Sequence, residues 1–142
     1  MDKKNIFSTN IGVLVNHLNY GNHLNYGNHL GYDSLLSILQ EARLRWLKTI
    51  KPDISEINIE NKVGWLVRDV HLTYEAEAHH ADELLIELFV SGVTKTCFTF
   101  EYTVTNQTSE KNICHATTAL ICFNFEKSKI ARIPSCLMTV FK

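Results

Sequence analysis

Apolar and polar positions change their spacing along the chain, and the change separates two kinds of text. Over 33–49 (DSLLSILQEARLRWLKT) the residues Leu35, Leu36, Ile38, Leu39, Ala42, Trp46 and Leu47 recur at helical spacing. They form an apolar face broad enough for a helix largely enclosed by other structure. Asp33, Ser37, Glu41 and Arg45 follow at every fourth position and line a polar stripe on the same helix. Gly31 precedes the segment and Pro52 follows it, which marks both ends; Asp33 suits an N-cap or a first-turn acid.

From 63 onward the period becomes two. Val70, Leu72 and Tyr74 alternate with Asp69, His71, Thr73 and Glu75. Leu84, Ile86, Leu88 and Val90 share one face of the next segment, and Phe98, Phe100, Tyr102 and Val104 share one face of the segment after it. Residues 113–124 are β-branched, apolar or small almost throughout. Loops at 76–82, 91–95 and 106–112 have lengths suited to antiparallel connections. Residues 5–15 make a further strand, with Ile11, Val13 and Val15 alternating against Gly12, Leu14 and Asn16. The order is strand, one long helix, then four antiparallel strands. That predicts an α+β fold with an antiparallel sheet wrapped around one central helix.

Composition adds limits. The 142 residues form a single domain over 1–142, long enough for a sizeable core. Hydrophobic residues at 45% and charged residues at 20% are ordinary for a globular chain. A net charge of −1 with dispersed Lys and Arg argues against a nucleic-acid surface. The start, Met1-Asp2-Lys3-Lys4, leads into no apolar run of signal-peptide type, and no stretch has the length of a membrane span. Cys97, Cys114, Cys122 and Cys136 lack CxxC pairing and lie mostly in strand-like text. They read as free thiols of a reducing, cytoplasmic compartment. Asn106-Gln107-Thr108 matches a glycosylation sequon but lies where a hairpin turn is expected.

Upstream of the helix the hexapeptide Asn-His-Leu-Asn-Tyr-Gly occurs at 16–21 and again at 22–27, followed by the partial copy Asn28-His29-Leu30. Asn and Gly favour turns. Two copies and a fragment cannot stack into a solenoid. Because the last copy runs directly into the helix, it has the fixed geometry; the surplus residues, within 16–24, read as a tandem-duplication loop insertion. The six-residue spacing of His17, His23 and His29 does not make a zinc site. In an extended chain such neighbours stand roughly 20 Å apart, and no cysteine is near. His79-His80 reads as a solvent-facing loop pair.

Asn25-Tyr26-Gly27-Asn28-His29-Leu30-Gly31, leading into the helix with Glu41-Ala42-Arg43, resembles hotdog-fold thioesterases of the 4-hydroxybenzoyl-CoA thioesterase-like superfamily. Later segments fit the same template over roughly 5–136: Arg68-Asp69-Val70 with Tyr74, Ala81-Asp82-Glu83-Leu84, Phe98-Thr99-Phe100-Glu101-Tyr102, Ala116-Thr117-Thr118 and Ile133-Pro134. The resemblance implies a hotdog fold and at least a homodimer, with two sheets joined edge to edge and active sites at the subunit interface. Dimer and tetramer both remain open. It implies an acyl-CoA or acyl-carrier-protein thioester substrate, with no metal or organic cofactor.

Thioester hydrolysis needs a group that polarises the carbonyl, a group that activates water, and a slot for the acyl chain. Backbone N–H groups at the helix start, presented by the Asn28–Gly31 loop, suit the first task. The resemblance places an aspartate at the position of Asn25 in many relatives, and often another at His23. Asparagine orients water or a carbonyl but is no general base at neutral pH. The carboxylate must then come from Asp33 or Glu41. Asn25, Asn28, His29, Asp33 and Glu41 are therefore the catalytic candidates, and Tyr26, Gly27, Leu30, Gly31, Thr117 and Thr118 the substrate-binding ones. Each also has a plain structural role. Asp33 serves as an N-cap, Glu41 pairs with Arg45, His29 orders its loop, and Thr117 and Thr118 are ordinary strand formers. Arg43, Arg45 and Lys127 either meet CoA phosphates or form a solvated face. A weakly active or inactive hotdog dimer that binds acyl or CoA-type ligands is the alternative to an active thioesterase. A hydratase on the same fold would need an Asp/His dyad that this sequence does not place.

Overall fold

The computed structural model describes residues 3–14 and 30–142. Its elements are strand β1 (Lys4–Gly12), helix α1 (Tyr32–Ile50), strands β2 (Val63–Tyr74), β3 (Glu83–Ser91), β4 (Cys97–Asn106), β5 (Lys111–Asn124) and β6 (Lys129–Ile130), and helix α2 (Ser135–Phe141). One antiparallel sheet runs in the order β1-β3-β4-β5-β2, and β6 adds to β5. The expected α+β arrangement is present. The strands extend close to the anticipated bounds, and β6 and α2 are additions. Residues 15–29, which hold all of the repeat except Leu30, and with them the proposed insertion in 16–24, lie outside the described residues.

Period-two text becomes a two-faced sheet. Leu84, Ile86, Leu88 and Val90 of β3 and Phe98, Phe100, Tyr102 and Val104 of β4 are all buried on the helix-facing side. α1 lays Leu35, Ile38, Leu39, Ala42, Trp46 and Leu47 onto that side. Trp46, Trp65, Phe98 and Phe100 pack at ring separations of 5.0–5.7 Å, mostly edge to face.

Seven residues are too few for a stable isolated helix, which is why α2 has no strong local signature. Packing holds it: Leu137 and Phe141 are buried, and the Phe141 ring stacks on Trp46 at 5.8 Å. Burying two such side chains stabilises by roughly 1.5–3 kcal/mol each.

A bulge at Arg68, between Val67 and Asp69, shifts the register of β2 against β5. One extra residue keeps Trp65 and Val67 on the same face as Val70, Leu72 and Tyr74. β2 is an edge strand, and it exposes Leu66, Val67 and Val70 to 41%, 43% and 41%. At the β4–β5 turn Asn106 is fully buried. Its amide donates to Asp82 and accepts from the N–H groups of Thr108 and Ser109. The sequon is a packed turn, as its position suggested.

Candidate active site

The entry to α1 is anchored from two sides. Leu30 N–H donates to the Ala78 carbonyl at 2.8 Å, and Tyr74 Oη donates to the Leu30 carbonyl at 2.7 Å. The loop carrying Ala78 is itself tied down: Val13 exchanges hydrogen bonds with Asp82 and Ala81, and the Asp82 carboxylate accepts from His79 N–H and Asn106. Gly31 is the N-cap, in extended backbone, and has no side chain to cap the helix. Leu35 N–H makes the first intrahelical bond, to the Gly31 carbonyl. The N–H groups of Tyr32, Asp33 and Ser34 therefore precede any intrahelical acceptor, at the positive end of a 19-residue helix. Asp33 is two residues beyond the cap, so it is a first-turn acid and not the N-cap.

A groove opens beside this end, between α1 and the edge strand. Its first part, about 350 Å³, is lined by Leu36, Val70, Leu72 and Tyr74. Leu36 and Val70 also wall a second part of about 180 Å³, reached by Gln40, Arg43, Val67 and Thr118. Apolar side chains line the part near the α1 start, and polar ones gather at the other.

That polar end is a network that runs from exposed Gln40 through half-buried Glu56 to buried Arg43, Tyr102 and Thr118. Arg43 Nε donates to Glu56 Oε1 at 2.9 Å, and Nη1 donates to Tyr102 Oη at 3.2 Å. Tyr102 Oη and Thr118 Oγ1 are hydrogen-bonded at 2.8 Å. Glu56 also accepts from Gln40 Nε2 and Trp65 Nε1. Gly64 makes this possible: a Cβ there would overlap the Glu56 carbonyl, which accepts Trp65 N–H at 2.9 Å. Burial disfavours the Glu56 carboxylate, but the Arg43 charge and three hydrogen bonds outweigh it and hold its pKa below the usual range. Burial likewise opposes the Arg43 charge, and Tyr102 and Glu56 outweigh it. Burial raises the Tyr102 phenol, which keeps it protonated.

The candidate residues divide. Asn25, Tyr26, Gly27, Asn28 and His29 lie outside the described residues. Leu30 and Gly31 sit at the α1 entry, but the Leu30 side chain is fully buried in the core and its N–H is taken by Ala78. The anticipated stripe exists but drifts. Each four-residue step turns about 40° beyond a full helical turn. Asp33 ends up about 60° from groove-lining Leu36, and Glu41 about 140° from it. Glu41 is paired with Arg45 at 2.8 Å, and Arg45 reaches across to Thr9 and Asn10 of β1, on the other flank.

Thr117 and Thr118 are also separated. Neighbours on a strand point to opposite faces, so Thr118 is buried toward α1 while Thr117 lies on the far face of the sheet. The two cannot line one cleft within a protomer. Arg43 is corrected from a solvated cation to a buried one, 6% exposed. Its place in the series Leu39, Arg43, Leu47, a charge within a buried i, i+4 row, is the sequence signal that marks it. Glu56, between buried Ile54 and Ile59, is a second charge set in apolar text. The cysteines are free; Cys114 and Cys122 are buried, and burial pushes both thiols up to about 12. Among the described residues no group of His, Cys, Asp and Glu is arranged to hold a metal ion, and no helix is long and apolar enough to cross a membrane.

Comparison with known proteins agrees with this architecture. The chain superposes on the 1,4-dihydroxy-2-naphthoyl-CoA thioesterase Slr0204 of Synechocystis with a TM-score of 0.80 at 18% identity, covering 95% of this chain and 94% of that one. PA2801, a putative thioesterase of Pseudomonas aeruginosa, gives 0.80 at 15% identity over 98% and 100% of the two chains. The Staphylococcus aureus protein SAV2348, solved in complex with CoA, gives 0.79 at 14% identity over 99% and 83%. No curated protein is significantly similar to the chain. The family model of the thioesterase-like superfamily matches residues 14–141, from the end of the first-strand segment through α2. The chain therefore belongs to the thioesterase-like superfamily and has its hotdog fold.

Proposed function

We propose that the chain hydrolyses an acyl thioester of CoA, or of an acyl-carrier protein, to the free acid and the thiol. The observation that carries this reading is an α1 N-terminus with three N–H groups ahead of any intrahelical acceptor, opening at the head of an apolar groove in a chain of this superfamily. The thioester carbonyl oxygen lies against those N–H groups, which stabilise the negative charge as water adds. The acyl group lies along Leu36, Val70, Leu72 and Tyr74. Asp33, one turn from the groove and beside the proposed oxyanion donors, accepts the proton of the attacking water; the tetrahedral adduct then collapses with cleavage of its C–S bond, and the departing thiolate takes up a proton to leave as the thiol. Glu41, turned to the β1 flank and held by Arg45, is the lesser candidate. Asn25, Asn28 and His29, from the last repeat copy, complete the cleft in this reading, with Tyr26 and Gly27 against the substrate. The CoA in the SAV2348 complex supports a CoA-type leaving group.

The working unit in this proposal is a homodimer, with two β2 edges paired and their exposed Leu66, Val67 and Val70 covered. A reducing, cytoplasmic setting belongs to the same proposal, and the unpaired Cys97, Cys114, Cys122 and Cys136 support it. Thiol release from a panel of short, medium and aryl acyl-CoA esters, each also tested for binding, checks the reading. Turnover of at least one ester is expected. Binding of esters with no turnover above the buffer rate favours the second reading, a hotdog protein that binds acyl-CoA without hydrolysing it. Asn25, where the resemblance implies an aspartate in many relatives, is what favours that alternative.

A further inference from the structure

Arg43 is oversupplied with donors for the partners it has. A guanidinium carries five N–H groups in a fixed fork. Nε is used by Glu56 and Nη1 by Tyr102, while Nη2 bonds to no described residue. No buried side-chain nitrogen or oxygen among the described residues lacks a partner, so Nη2 must touch accessible space. The side chain is only 7% exposed, and the cavity it lines beside Thr118 and Gln40 is the space that we assign to Nη2.

We infer that Arg43 is a specificity-determining donor at the far end of the acyl groove, and that it selects an acyl group carrying a neutral oxygen acceptor, a hydroxyl or a ketone, at its distal end. This rests on the thioesterase reading for the placement of the acyl group, and it adds what that group must carry. The cavity near the α1 start and the cavity that Arg43 lines adjoin, since Leu36 and Val70 stand in the wall of each. In this proposal an acyl group with its carbonyl at the helix start and enough length to pass Leu36 and Val70 brings its far end to Arg43. A plain alkyl end would leave a desolvated N–H without an acceptor, which costs more than the lost bond alone.

Charge decides against a carboxylate. Glu56 already neutralises Arg43 at 2.9 Å and takes two further donors. A second anion at Nη2 would be desolvated and would face Glu56 across the same guanidinium. A neutral oxygen gains the hydrogen bond without that repulsion.

The test compares acyl-CoA esters matched in length with a distal hydroxyl or ketone, a distal methyl, or a distal carboxylate, by titration calorimetry and by kcat/KM. The wild-type chain is expected to bind the hydroxyl or ketone ester roughly tenfold more tightly than the methyl ester, with the carboxylate weakest. Equal affinity for all three, or tightest binding of the methyl or carboxylate ester, overturns the assignment. Binding is read separately from turnover, so the hydrolytic reading can fail while the preference stands, and the reverse. Glu56→Gln supplies a second readout: it leaves Arg43 uncompensated and is expected to move the preference toward the carboxylate ester. A purely structural Arg43 would weaken all three esters alike, and that result also overturns the assignment.

Discussion

Tyr74 Oη donates to the Leu30 carbonyl across 2.7 Å, and the bond joins the edge strand to the residue that enters α1. Tyr74 also lines the groove. The strand proposed to meet the partner subunit therefore helps set the position of the helix start, where the proposed oxyanion donors are. Tyr74→Phe keeps the ring and removes the bond. It should cost about 1 kcal/mol in urea unfolding. Because the donors are then less well fixed, kcat should fall more than KM rises, by up to about 100-fold. Stability loss with unchanged kcat would show that the bond supports only the fold.

The Arg43–Glu56 pair predicts a specific acid response. Glu56 has a pKa lowered in the folded chain from its reference of 4.5. Its contribution to stability is complete above that reference and is lost as pH falls through the lower folded value. Glu56→Gln should therefore flatten the stability curve below about pH 4.5 relative to wild type. At neutral pH, Arg43→Ala should cost about 3–5 kcal/mol, because it strands a largely buried carboxylate. Chemical unfolding across pH 3–7 (roughly the range in which carboxylates titrate) reads both effects. Parallel curves for wild type and Glu56→Gln would contradict the linkage.

Edge pairing of β2 predicts the assembly. Leu66 is exposed on that strand, and a lysine there opposes strand-to-strand association. Light scattering should find wild type as a dimer or larger, and Leu66→Lys shifted toward monomer with correspondingly lower hydrolysis. A variant that stays fully dimeric would move the contact to another surface.

The fold was legible because its strands alternate cleanly. The face shared by Leu84, Ile86, Leu88 and Val90, and that shared by Phe98, Phe100, Tyr102 and Val104, are buried as read. The bulge at Arg68 left no local mark, since it depends on the register against β5. α2 escaped notice because its stability comes from Trp46 and the aromatic core, not from its own seven residues. The candidate site was legible in part. The helix entry at Gly31 and the Glu41–Arg45 pair follow from spacing. The separation of Asp33 from Glu41 does not follow from a four-residue rule, which hides the 40° drift that accumulates along a helix (about 100° per residue). The place of Arg43 between Leu39 and Leu47 marks it as a buried charge, but its partner needed the tertiary fold, because Glu56 reaches it past Gly64.

The central claim is that water is activated at the α1 start, beside the groove, by Asp33. The most direct measurement is kcat for one hydrolysed acyl-CoA with Asp33→Asn and Glu41→Gln compared side by side, each first shown to be folded and of wild-type assembly. The account predicts a loss of about 100-fold or more for Asp33→Asn, and a change within a few-fold for Glu41→Gln, an exposed i, i+4 pair. Unchanged turnover in Asp33→Asn, or the large loss falling on Glu41→Gln, would contradict it.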